Sequence, residues 1–175
     1  MSDSNVSGTV AETTENELVD MIECLTFSIG TECFGVKILR VREIRAWEAV
    51  TSIPNAPEYV MGVFNLRGEI VPVYDLRLRL GMEFRDYVKE TVVIVLRAQG
   101  HNGERSIGIA VDEVSDVFMI DREEIQDAPD FGSKLNTEFI QGIAAVDTRM
   151  ITMLQVDMLQ PPRQRVDAVS ELGKA

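Results

Sequence analysis

Residues Val60 to Leu76 read Val60-Met61-Gly62-Val63-Phe64-Asn65-Leu66-Arg67-Gly68-Glu69-Ile70-Val71-Pro72-Val73-Tyr74-Asp75-Leu76. Two apolar runs flank a polar corner at Asn65-Leu66-Arg67-Gly68, the pattern of a β-hairpin. Gly68 accepts a positive φ without steric cost, as a tight corner after Arg67 requires. Pro72 has no N–H to give to a ladder. Its strand therefore either lies on an edge there or turns that nitrogen away from a partner. Asp75 stands ahead of Leu76, Leu78 and Leu80, with Gly81 behind. That is an N-cap, one or two helical turns and a glycine stop.

Upstream the period is also two. Ile22, Cys24, Phe27 and Ile29 give a strand, Gly30-Thr31 a turn, and Phe34 to Ile38 the return. Leu39 to Ile44 competes between helix and strand. Its β-branched residues and short length favour strand, with Leu39, Val41 and Glu43 on one side. Trp47 to Ile53 is extended, Pro54 and Pro57 bracket a loop, and Glu58 to Met61 closes one helical turn. Downstream, Met82 to Glu90 is a charged connector and the expected boundary between two halves. Thr91–Arg97 and Ser106–Val111 form a hairpin across a polar turn at Gln99 to Glu104. Asp112 to Ile120 continues as strand, and Asp121 caps one helical turn. Pro129 to Thr137 is loop. Phe139–Val146 and Met150–Val156 make the last hairpin, and Asp157–Gln160 a short helix stopped by Pro161-Pro162. Many short strands separated by turns, with little helix, define an all-β barrel or sandwich.

The chain has 175 residues, enough for one domain or two very small ones sharing a core. Its formal charge of −12 leaves nothing to neutralise phosphates, which excludes nucleic acid as a partner. The same charge disfavours an anionic membrane surface. No apolar run approaches the roughly 20 residues of a spanning helix, and no signal peptide opens the chain, so a cytosolic protein is expected. Residues 1–21 carry Asp3, Glu12, Glu15, Glu17 and Asp20 without a lysine, arginine or aromatic residue. They read as a disordered acidic tail. Residues 161–175 read as a polar, frayed C-terminal tail.

A reactive centre is hard to find. Cys24 and Cys33 are the two cysteines. With Gly30-Thr31 as the turn, Cys24 lies opposite Lys37 and Ser28 opposite Cys33, so the sulfurs cannot meet. Reduced thiols are the expectation. Two cysteines and the single His101 cannot build a four-ligand zinc site. His101 sits at a turn tip, where a solvated ring is the ordinary state. Asp112, Glu113 and Asp116 cluster without the ligand spacing of a calcium loop. No nucleophile elbow, phosphate loop or dinucleotide fingerprint occurs. No enzyme, cofactor or metal is expected; a small carboxylate-dependent hydrolase acting through Asp112 is the remote alternative.

The Asn-Leu-Arg-Gly corner followed by Ile70-Val71-Pro72-Val73 and Asp75-Leu76 closely resembles the signature of the CheW family, adaptors of bacterial chemotaxis arrays. Further stretches agree in order: Phe34 to Ile44, Thr91 to Leu96, Gly108 to Val117, and Ala-Pro-Asp-Phe near Asp130. The match spans about residues 23–159. A longer, more polar turn at Gly100 to Glu104 and a tryptophan at Trp47 depart from the family pattern. The resemblance implies two five-stranded SH3-like β-barrels packed side by side, with short helical turns and a short C-terminal helix. It places a CheW-like domain at residues 22–160. The first barrel covers about 22–82 and the second about 83–156, with strand exchange between them left open.

It also implies two partners: the cytoplasmic helical tip of a chemoreceptor (a methyl-accepting chemotaxis protein) and the regulatory domain of the histidine autokinase CheA. Val41, Gly62, Arg67, Val92 and Val117 match receptor-binding positions, and Ile38 and Glu43 kinase-binding positions. Five of them have a structural alternative. Arg67 can bond the carbonyls of its own corner, the valines can be ordinary core, and Glu43 can be an exposed strand carboxylate. Gly62 would let a partner helix approach the backbone. A paralogous scaffold of surface motility or biofilm signalling is the second functional reading. The expected location is the cytoplasm, with recruitment to membrane-associated receptor arrays.

Overall fold

The hairpin around Arg67 forms as its residues dictate, and the rest of the fold is built beside it. In the computed structural model, which describes residues 20–129 and 137–162, β4 (Val60–Leu66) and β5 (Glu69–Asp75) pair antiparallel. Asp75 then caps a four-residue helix, α1 (Leu76–Arg79), its carboxylate accepting from Leu78 N at 3.2 Å. Pro72 lies opposite Val63. Both backbone groups of Val63 bond Thr51 instead, at 2.9 Å each. The Val63–Pro72 pair thus needs no proline donor, and on the other flank the ladder begins one residue later, at Val73.

The remaining strands are β1 (Met21–Ile29), β2 (Glu32–Lys37), β3 (Val41–Ala46), β6 (Val92–Gly100), β7 (Gly103–Val111), β8 (Glu113–Asp121), β9 (Ile140–Val146) and β10 (Arg149–Leu154). They form two five-stranded sheets, ordered β8-β1-β2-β10-β9 and β3-β6-β7-β5-β4. Neighbours are antiparallel except β2–β10 and β5–β7. The all-β class with two five-stranded units holds. The division at residues 82/83 does not. The connector falls inside the second sheet, between β5 and β6, and β1–β2 complete a sheet with β8–β10. Strand exchange, left open by the sequence, is how the molecule is built. Hydrophobic alternation fixes which face of a strand is buried but not which distant edge it joins.

Alternation explains the core. Cys24, Ile120, Ala144, Ile151 and Met153 fill the first sheet's own cluster. Leu66, Val71, Val73, Val93 and Val95 fill the second's. The opposite faces of the same strands meet between the sheets, where Leu25, Phe27, Phe34 and Val36 pack with Tyr74, Ile94, Leu96, Ile107 and Ile109. Strands buried on both faces read as near-continuous apolar runs, as Val92 to Leu96 does. Each inner cluster is small, so the shared one carries much of the stability.

Local details differ from expectation at several points. Ile38–Arg40 is a 3-10 turn, and the strand starts at Val41. Glu58 to Met61 is not a helical turn: Val60 N bonds Pro57 O at 2.9 Å and β4 begins at once. The His101 turn is two residues long, with Gly100 opposite Gly103, because both strands extend into the polar stretch. The C-terminal helix is a 3-10 turn, Val156–Leu159. Trp47 stacks on Tyr87 with ring centroids 4.6 Å apart, pinning the connector. Tyr87 in turn donates to the buried Asp75 carboxylate. The tails at 1–21 and 161–175 lie almost wholly outside the described residues, as do Asp130 and Phe131. Met21 already belongs to β1.

Candidate functional site

Leu66, Arg67, Gly68 and Glu69 form the corner of the β4–β5 hairpin. Arg67 has φ 50° and Gly68 φ 91°. Both central residues are left-handed, the turn whose twist matches that of the strands. Glycine adopts this freely; arginine does so at a cost. Asn65 holds the turn shut, its Oδ1 accepting from Gly68 N at 2.8 Å. Leu66 is buried in the second sheet's cluster. Arg67 is thereby thrust outward, with 77% of its side chain exposed. Its guanidinium reaches Glu43 Oε2 at 3.4 Å, not the carbonyls of its own corner. Arg45 Nε lies 3.6 Å from the other carboxylate oxygen of Glu43. Arg67 and Glu43, expected at different partner faces, are therefore neighbours.

The other expected residues are dispersed. Ile38, Val41 and Val92 are half-buried and pack on the cluster between the sheets. Val41 opposes Leu96 and Val92 opposes Ala46 in the β3–β6 ladder, so they are separated along the strands by about 13 Å at 3.3 Å per residue. Val117 belongs to the other sheet, on edge strand β8 opposite Leu25, and is 50% exposed. Gly62 is buried with φ 150°, and a Cβ there would run into the carbonyl oxygen of Thr51. The crossing Thr51 segment of the same chain is by itself enough to require a glycine there.

Residues that pattern reading missed lie around this region. Arg42 bonds both Glu69 and Ser106 across three strands. That hydrogen bond lowers the Glu69 carboxyl below its usual range, against a small burial effect. Leu39 is 85% exposed on the Ile38–Arg40 turn. Arg40 pairs with Asp157, far along the chain. No local spacing marks these partners.

The groups a hydrolase would use are engaged or inert. Burial would raise the Asp112 carboxyl, but bonds from Arg77 and from Gly30 N outweigh it and hold it low. A carboxylate so held is a poor general base. Burial pushes the Cys24 thiol up to about 12 and raises Cys33 as well, so neither is a ready thiolate. His101 is exposed at its turn. Among the described residues, no group of three His, Cys, Asp or Glu could hold a metal ion, and no helix is long and apolar enough to cross a membrane.

Two five-stranded sheets thus share one core and hold Arg67 outward at a hairpin corner. The model of the CheW-like domain matches residues 23–161. The chain is 43% identical over 137 residues to chemotaxis protein CheW of Klebsiella aerogenes, covering 78% of this chain and 80% of that one. It is 38% identical over 143 residues to CheW of Rhizobium meliloti, covering 82% and 90%. The crystal structure of the scaffolding protein TtCheW from Thermoanaerobacter tengcongensis superposes with a TM-score of 0.72 at 32% identity, covering 81% of this chain and 89% of that one. The chain belongs to the CheW family, and is a non-catalytic chemotaxis adaptor.

Proposed function

We propose that the protein couples the cytoplasmic helical tips of chemoreceptors to the regulatory domain of the histidine autokinase CheA, in the cytoplasm, at receptor arrays. One observation carries this reading. Arg67 occupies a left-handed position that glycine would fill at less cost, and its guanidinium stands 77% in solvent. A costly conformation held by Asn65 and aimed outward is what a contact residue needs, and fold stability alone does not ask for it. Val41, Val92 and Val117 supply apolar surface for an amphipathic helical tip, a common recognition mode. Ile38 and Glu43 serve the kinase side. Because Glu43 pairs with Arg67, the two docking surfaces share a border, and a partner on one side is sensed electrostatically on the other. Held by both partners, the adaptor raises their effective concentration without making or breaking a bond.

Titration of the labelled protein with a receptor hairpin, and separately with the kinase regulatory domain, tests the reading by backbone chemical shifts. Shifts centred on Arg67 with the first and on Ile38 with the second support it. Binding to neither refutes it.

A further inference from the structure

We propose, resting on the adaptor reading above, that Asp157 is a positioning residue for the docking segment Ile38–Glu43, acting through Arg40. The Ile38–Arg40 turn has one internal closing bond, Val41 N to Ile38 O, and buries none of its residues. So short a 3-10 turn has little intrinsic stability. It nevertheless holds Leu39 out at 85% exposure beside Ile38. The fastening comes from outside. Arg40 Nη1 donates to Arg97 O at 3.2 Å, and the two Nη atoms grip the Asp157 carboxylate at 3.0 and 3.3 Å. Asp157 also accepts from Gln99 N at 2.7 Å.

The anchor itself is rigid. Asp157 rides on the Val156–Leu159 turn, whose Val156 and Leu159 are buried. Arg79 ties down the end of that turn, donating to Leu159 O at 2.9 Å and Gln160 O at 2.8 Å. Its guanidinium is sandwiched over the rings of Tyr59 and Phe139 at 4.4 and 4.3 Å. Arg40 is thus bolted to a body made from both halves of the chain.

Arg40 and Asp157 keep 37% and 28% of their side chains exposed, so the pair adds little to global stability. Its effect is local. It presets the geometry in which Ile38 and Leu39 are offered to the kinase regulatory domain, and presetting removes part of the ordering cost of binding. Leu39 continues the surface begun by Ile38 and Glu43.

The test uses the full chain with Asp157→Ala, Asp157→Asn, Leu39→Ala and the Asp157→Ala/Leu39→Ala double variant. Amide exchange at Val41 and affinity for the kinase regulatory domain are measured. Asp157→Ala is expected to speed exchange at Val41 and weaken kinase-domain binding roughly threefold to tenfold, with the melting midpoint lowered by no more than a few degrees and receptor-hairpin binding unchanged. Asp157→Asn, which keeps the acceptor for Gln99 N, falls between. The two substitutions combine less than additively, because Asp157 acts through the turn that presents Leu39. Unchanged exchange at Val41, or fully additive losses, overturns the proposal. Failure of the wild-type chain to bind the kinase domain overturns the adaptor reading instead, and the exchange measurement alone then decides the clamp.

Discussion

Arg67 separates what the fold wants from what the function wants. Its φ of 50° is costly for arginine and its ion pair to Glu43 is largely solvated. Arg67→Gly should therefore leave the protein at least as stable in urea, within about 1 kcal/mol, while receptor-hairpin binding falls. Equal loss of receptor and kinase binding with a lowered melting temperature would favour a purely structural arginine. Gly62→Ala should behave in the opposite sense, costing about 2 kcal/mol or more because its Cβ meets the Thr51 carbonyl at a left-handed φ. Asp112 makes a prediction in pH. Its folded carboxyl is held below the ordinary value, so its stabilising contribution is complete above the unfolded carboxylate range near 3.8. It is lost as the pH falls through the lower folded value. Urea midpoints of the wild type and Asp112→Asn should differ at pH 7 and converge in acid. The identity of the corner residues was readable in the sequence, since Asn, Gly and Asp act on their immediate neighbours. The partner of Arg67 was not, because Glu43 is 24 residues away on another strand.

At the scale of elements, the β4–β5 hairpin and its capped helix are locally encoded, and Asp75 is their junction. Its carboxylate caps α1 through Leu78 N and receives the Tyr87 hydroxyl. Burial, first, and the Asp75 carboxylate, second, raise the Tyr87 phenol far above its usual range, so it stays a donor. Asp75→Ala should cost about 1–3 kcal/mol by denaturation, and should loosen the connector to proteolysis near Tyr87. Tyr87→Phe should loosen the connector while leaving the cap intact. Alternation predicts strand through 38–40 because Leu39 continues the spacing of Val41 and Glu43, whereas the segment is a 3-10 turn. What distinguishes it is the remote grip on Arg40, which no periodicity reports.

For the whole molecule, alternation revealed the strands and their buried faces, and the family resemblance implied two five-stranded units. The strand order was hidden, since β2–β10 and β5–β7 pair across long separations. The interleaving makes one cooperative body of two sheets. Ile94→Ala, in the cluster between them, should cost about 2–5 kcal/mol. Calorimetry should show a single transition for the wild type and the variant, and residues 20–82 expressed alone should not fold. Two resolved transitions would count against a shared core.

Synthesis on the ribosome feels this order too. β1 and β2 emerge first, yet their partners β8, β9 and β10 emerge last. The second sheet, contiguous from Val41 to Val111, can close while the opening hairpin still lacks its own sheet partners, with the face that carries Cys24 and Cys33 uncovered. A nascent chain stalled before Glu113 therefore exposes a sticky two-stranded ribbon, and trigger-type holding factors should engage it in that window of translation.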